Sequence, residues 1–132
     1  MTVITAQQKN VRQSSRKVRL VANQVRKMEL AAAVAALAVM ERRSSMVILK
    51  VINQAIANAT KNMSLSVGEL ELVDIVVDDG PILRRMRAVS RGRGHGIDKR
   101  TCHVRVVLRT KDENKAGTSV KTVSEADTEG KK

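Results

Sequence analysis

Phenylalanine, tyrosine and tryptophan are absent from the 132 residues, cysteine and proline occur once each, and 13 acids face 25 lysines and arginines. The missing aromatics bear first on recognition. Modules that read single strands stack bases on aromatic rings, so an RNA recognition motif or a single-strand-binding barrel is disfavoured, while duplex, backbone and shape recognition stay open. The lone Cys102 excludes an internal disulfide and supplies no metal constellation, as suits a reducing cytoplasm. No apolar run reaches the roughly 20 residues of a membrane span, and the polar start MTVITAQQKN lacks a signal-peptide core. A soluble intracellular protein is expected. Without Trp or Phe anchors, a membrane surface is a poor partner.

What is present is positive charge, unevenly placed. The formal net charge is +12, yet residues 111–132 carry five bases and five acids, so the excess lies in the first 110 residues. Residues 9–27 hold seven bases and no acid (Lys9, Arg12, Arg16, Lys17, Arg19, Arg26, Lys27), and residues 84–109 hold nine bases against Asp98 alone. The stretch between, 29–79, has seven acids and four bases. Two basic blocks around a mildly acidic middle imply one large polyanion gripped from two sides.

The second block includes RRMRAVSRGRGHGIDKR at 84–100, in which seven of seventeen residues are Arg or Lys. It cannot fold by burying itself. Its guanidinium groups suit phosphate bidentately, and Gly92, Gly94 and Gly96 permit tight turns or close approach. It reads as an arm that becomes ordered on a polyanion. The flanking runs ELELVDIVVDD and CHVRVVLR alternate like strands, with Val104, Val106 and Leu108 inward and Arg105 and Arg109 outward. A slip of phase at Val73 and Asp74 suggests a bulge. If the two runs pair antiparallel, the arm is the far end of a long hairpin reaching on the order of 30 Å, at about 3.3 Å per residue.

The rest of the body reads as a short strand at 3–11 and three helices. The first, capped by Ser14 or Ser15 and running to about Lys27, gathers Val18, Val21, Ala22, Val25 and Met28 on one face. Arg16, Arg19, Asn23, Arg26 and Lys27 lie opposite, with no acid at helical spacing to pair with them. The second, 29–41, is alanine-rich, with Leu30, Ala33, Val34 and Leu37 on one stripe. The third, capped by Ser44 or Ser45 after Arg42 and Arg43, reaches about Asn62. Its Ile48, Val51, Ile52, Ala55, Ile56 and Ala59 mark it as the central core helix, and Asn58 or Asn62 could end it. One polyanion-binding domain over 1–110, with its arm at about 80–100, and a disordered charged tail over 111–132 are expected.

No catalytic arrangement emerges. Neighbours in a strand point to opposite faces, so Cys102 and His103 cannot form a nucleophile and base. Cys102 reads as a buried filler, and His103 as either a phosphate contact or a structural hydrogen bond. Asp78 and Asp79 diverge likewise, with no third ligand at metal-binding spacing, and read as turn caps. His95 at an exposed tip is badly placed for acid–base chemistry. The glycines of GRGHG lack the strand-to-helix setting of a nucleotide loop. Neither an enzyme, a cofactor, a metal nor a small-molecule substrate is expected.

Three segments resemble the large-subunit ribosomal protein twenty-two family (the uL22 type), the universal proteins of the nascent-peptide exit tunnel. They are VRQSSRKVRLVANQVR at 11–26, VINQAIANATKN at 51–62 and DDGPILRRMRAVSRGRGHGIDKRTCHVRVVL at 78–108, and the likeness runs in order over about 7–109. The resemblance implies an α+β fold with three helices packed on a three-stranded antiparallel sheet and a long basic β-hairpin arm. It implies a cytoplasmic role in the large ribosomal subunit, with rRNA, neighbouring ribosomal proteins and the nascent polypeptide as partners. By position, Arg12, Arg16, Lys17 and Arg19 would lie on the body's rRNA surface, and Arg84, Arg85, Arg91, Arg93, Lys99 and Arg100, with His103, would hold rRNA along and below the arm. Arg87, Ala88, Val89, Ser90, Arg91, Gly92, Arg93 and Gly94 would form a tunnel-lining tip. The sequence departs from the family's usual proline at Ser15, glycine at Lys27, and proline and arginine at Ala88 and Val89, which bears on the first interhelix turn and the path of the tip. A free nucleic-acid-binding architectural or regulatory protein is the alternative; it would bind duplex DNA as strongly as structured rRNA.

Overall fold

A computed structural model describes residues 2–111. The strand and helix patterns resolve into β1 (Val3–Val11), α1 (Ser15–Val25), α2 (Leu30–Val39), α3 (Arg43–Met63), β2 (Leu70–Asp79), β3 (Leu83–Ala88), β4 (Gly94–Lys99) and β5 (Cys102–Thr110). β5 lies between β1 and β2 in an antiparallel three-stranded sheet of order β1-β5-β2, and β3 pairs with β4 in a separate two-stranded hairpin. The fold is α+β, as expected. The tail assigned to 111–132 lies outside the described residues except for Lys111, whose N–H donates to the Glu69 carbonyl at 2.6 Å.

Alternation sorts the sheet into two faces. Ile4 and Ala6 of β1, Leu70, Leu72, Ile75 and Val77 of β2, and Cys102, Val104, Val106 and Leu108 of β5 are buried. They meet Val18, Val21, Ala22 and Val25 of α1, Leu30, Ala33 and Leu37 of α2, and Ile48, Val51, Ile52, Ala55 and Ala59 of α3 in one aliphatic cluster. α3 packs on β1, β5 and both other helices, which is why its apolar surface is the broadest. Without rings, the core rests on interdigitated Val, Ile, Leu and Ala, each sensitive to loss of methyl groups.

Both pairings carry a bulge. Leu72 faces Leu108 and Asp74 faces Val107, so Val73 is the extra residue that the slipped phase suggested. On the other side Gln8 faces Val104 and Val11 faces Cys102. Asn10 there adopts a left-handed φ of 56°, and its N–H donates to Nδ1 of His103 at 3.0 Å. Nothing in the periodicity marked this second bulge.

The cap assignments need correction. Ser14 occupies the N-cap of α1 without a side-chain cap bond, and Arg42, not Ser44 or Ser45, is the N-cap of α3. Both serines are buried and act as donors. Ser45 Oγ donates to the carbonyls of Arg42 at 2.6 Å and Met40 at 2.9 Å, and Ser44 Oγ reaches the Lys17 carbonyl at 3.5 Å. A hydroxyl committed to carbonyls of the preceding chain ties elements together instead of capping. α1 and α2 also end two residues earlier than the pattern suggested, at Val25 and Val39, and α3 ends on Ser64 in the left-handed conformation, not on an asparagine. Lys27 fits its turn without positive φ.

α1 lies along the open edge of β2 and closes it with arginines. Arg19 Nε donates to the Val77 carbonyl at 3.0 Å and Arg26 Nη2 to the Ile75 carbonyl at 2.7 Å. Each also pairs with an acid of the same strand, Arg19 with Asp79 at 3.2 Å and Arg26 with Asp74 at 2.7 Å. Residues seven apart on a helix share a face, and carbonyls two apart on a strand point to the same edge, so the long side chains of Arg19 and Arg26 both reach that edge from one side of the helix. The unbalanced charge read along the first helix is thus partly balanced in three dimensions by β2.

Two outcomes follow. Ile52→Ala should cost about 2–5 kcal/mol in urea unfolding, whereas Met86→Ala on the arm should stay within about 0.5 kcal/mol. The Ser15 hydroxyl, and after it the Arg19 guanidinium, hold the Asp79 carboxyl below its ordinary 3.8. A depressed folded value contributes stability above 3.8 that is lost as pH falls through the folded value. Asp79→Asn should therefore be less stable than the parent at pH 7, and unfolding curves should show the gap closing below 3.8.

Candidate nucleic-acid interface

The two basic blocks meet at the root of the arm. A cleft of about 760 Å³ is lined by Arg12, Gln13, Ser14, Lys17 and Arg43 from the body and by Leu83, Arg85, Asp98, Lys99, Arg100 and Thr101 from the arm. Six of these side chains are cationic and one is a carboxylate. The β1–α1 connection presents Arg12 at the start of α1, and one turn later Lys17 stands on the same side. The contact of Ser44 with the Lys17 carbonyl sets the first residues of α3, and with them Arg43, beside α1. Sequence reading gave Arg43 no role, because only this packing brings the α2–α3 junction to the cleft.

Charge pairing divides the cations of the body from those of the cleft. The ion pairs of the described residues join Arg19 to Asp79, Arg26 to Asp74, Arg105 to Asp78, Arg109 to Glu71 and Lys111 to Glu29. None includes a cleft cation. The N-terminus of α1, at the cleft's wall, has no side-chain cap bond and no acid in its first turn. The positive end of its dipole adds to an anion-favouring surface.

Above the cleft the arm is a ladder without a core. Leu83 pairs with Lys99, Arg84 with Asp98, Arg85 with Ile97, Met86 with Gly96, Arg87 with His95 and Ala88 with Gly94. Strand alternation puts Arg85, Arg87, His95 and Lys99 on one face with Leu83 and Ile97. Arg84, Met86, Ala88, Asp98 and the two glycines occupy the other. All are exposed except Ile97, which is half-buried. Met86, 82% exposed, lies across Gly94, where an added Cβ would meet its Sδ at 2.7 Å. Arg91 and Gly92 take φ of 58° and 70°, the pair of positive values that a tight hairpin turn matched to strand twist requires. Arg91 accepts about 1 kcal/mol of strain there. The Val89 N–H closes the loop on the Arg93 carbonyl at 2.7 Å. Six residues per strand carry this turn about 20 Å past the root.

The expected site residues therefore separate by position. Arg12, Lys17, Arg85, Lys99 and Arg100 converge in the cleft. Arg84 takes the opposite face of the arm, and Arg91 and Arg93 stand at its tip beside Ser90, Val89 and Gly92. Arg16 is exposed on α1 outside the cleft, Arg19 is engaged with β2, and His103 accepts the Asn10 N–H. Asp78 and Asp79 hold arginines instead of capping a turn. Cys102 is buried, and burial first, then the charge of Asp79, push its thiol above the ordinary value. Among the described residues no group of three or more His, Cys, Asp or Glu could hold a metal ion. No described helix is long and apolar enough to cross a membrane.

Residues 6–109 match the family model of ribosomal protein L22p/L17e. The chain is also 43% identical over 98 residues to large ribosomal subunit protein uL22 of Mesoplasma florum, an alignment that covers 74% of this chain and 88% of that protein.

Proposed function

The chain belongs to the ribosomal protein L22p/L17e family, structural and non-catalytic constituents of the large subunit in the cytoplasmic ribosome, and we propose that it bridges separate segments of large-subunit rRNA and lines the polypeptide exit tunnel with its arm. The observation that carries the first part is the cleft, where six cations from both halves of the sequence converge and none is paired with an acid among the described residues. Phosphates of an RNA strand are anions that a set of Arg and Lys donors lining an open cleft would take.

Lys17 and Arg43 stand on packed helices and Arg12 in the β1–α1 connection, while Arg85 and Lys99 stand on the ladder and Arg100 at its foot, so an RNA backbone laid in the cleft meets donors already in place. Arginine forks bind phosphate oxygens in pairs, and each neutralised phosphate releases condensed counterions. Arg84 and Arg87 extend contacts up the arm on both faces, allowing RNA segments remote in sequence to be joined during subunit assembly. Without aromatic side chains, the protein reads backbone and shape instead of stacking on bases. The tip, Arg87 to Gly94, would stand at the tunnel wall beside the nascent polypeptide. A slender exposed arm whose end carries Ala88, Val89 and glycines suits a passage through which chains must keep moving.

If about eight phosphates are neutralised, the log–log salt slope for binding a large-subunit rRNA fragment should be roughly −6 to −7; a slope near −2 would contradict a two-sided grip. Alanine at Arg84, Arg85, Arg91 and Arg93 together should leave the melting curve of the body in place while removing the protein from large-subunit fractions of a sucrose gradient. In-cell crosslinking of the parent should join residues 84–100 to large-subunit rRNA. Crosslinks to DNA or messenger RNA from a light fraction would instead mark a free regulator.

A further inference from the structure

The arm joins the body through a short unpaired interval. The last pair of the body sheet is Asp79 with Cys102, and the first pair of the arm is Leu83 with Lys99. Residues 80–82 on one side and 100–101 on the other connect them. A two-strand junction without a ladder is free to swing unless something fixes it, and the direction of the arm determines how far Arg85, Lys99 and Arg100 stand from Arg12, Lys17 and Arg43.

Thr101 supplies the fixation. It is 5% exposed, one of four buried polar residues among those described. Its Oγ1 donates to the Pro81 carbonyl at 2.7 Å, and its own carbonyl accepts the Gly80 N–H at 2.9 Å. A Cβ on Gly80 would stand 2.5 Å from that Oγ1 and 3.1 Å from the Thr101 carbonyl carbon. Gly80 is not among the residues with positive φ, so glycine is required here by contact and not by dihedral. Pro81, with its fixed φ and no N–H, stiffens the same turn.

We propose that Thr101, seated against Gly80 and Pro81, is a positioning residue that fixes the angle between arm and body and so sets the width of the cationic cleft. It touches the cleft only as part of its floor and acts through the cations on either side. The link to RNA rests on the rRNA reading above; the fixed angle is a property of the free protein.

The test measures the angle first. Nitroxide labels on Lys50→Cys of α3 and Ser90→Cys of the tip, with the buried Cys102 left unlabelled, report the arm-to-body distance by double electron–electron resonance on the full chain without RNA. The parent should give one narrow distribution, and Thr101→Ser, which keeps the hydroxyl, should reproduce it. Thr101→Val should broaden or displace it with little change in body melting. Gly80→Ala attacks the same contact from the opposite side and carries the measurement if Thr101→Val does not fold. Unlabelled Thr101→Val should then bind a large-subunit rRNA fragment roughly tenfold more weakly, with a salt slope shallower by about 1–2, and Thr101→Ser should restore both. A folded Thr101→Val or Gly80→Ala protein with the parent's distribution would overturn the proposal. A displaced arm in the variants, together with a parent that fails to bind rRNA, would leave the positioning role standing and remove the rRNA reading.

Discussion

Six like charges held around one cleft repel one another, and the rest of the molecule is organised to hold them there. In water two unit charges about 8 Å apart repel by roughly 0.5 kcal/mol, and less with salt. Each pair is weak, but an unsupported segment would simply spread. Lys17 and Arg43 do not spread because they are fixed to helices whose opposite faces are buried in the aliphatic core, and Arg12 because it follows directly on the buried Val11. Arg85, Lys99 and Arg100 do not because the ladder and the Thr101 contact fix their root. Core stability is in this sense converted into a standing electrostatic potential, relieved only when an external anion enters.

The acids of the chain are placed in keeping with this. Asp74, Asp78 and Asp79, with Glu71, lie along β2, where they engage arginines of α1 and β5. These exposed pairs contribute little individually. Their larger effect is geometric: Arg19 and Arg26 reach the carbonyls of Val77 and Ile75 and thereby close a sheet edge that would otherwise offer itself to another strand. Arginines that look interchangeable in the sequence thus divide into those that close the body and those left for a partner.

That division marks what the sequence could and could not disclose. Strand alternation placed Val104, Val106 and Leu108 in the core and located the bulge at Val73, because a half-buried strand writes its register into every second residue. The same logic made no strand of 83–88 or 94–99. Neither face of the arm is buried, so no apolar alternation is needed, and RRMR paired with HGID carries no hydrophobic signature. Arg19 and Arg26 were legible as the charged face of a helix, but their strand partners lie 48 or more residues away in sequence. Arg43 and Thr101 were silent for the same reason: their roles exist only where elements distant in the chain meet. Ser44 and Ser45 misled because a serine before an apolar periodic run is an N-cap signal, while buried hydroxyls sought the nearest free carbonyls.

The absence of aromatic residues connects these observations. A protein that stacks on bases can hold RNA through a few local contacts and tolerate a loose scaffold. One that holds only phosphates must place its cations at the spacing of the backbone, since point charges discriminate by position alone. Precision of placement then replaces chemical variety of contact. In this molecule that precision has its narrowest point at the junction of arm and body, where two short connections carry the whole alignment of one half of the cleft against the other. A glycine with no room for a methyl group and a buried threonine hydroxyl are what such a junction requires, because any freedom there is multiplied along the arm to its tip.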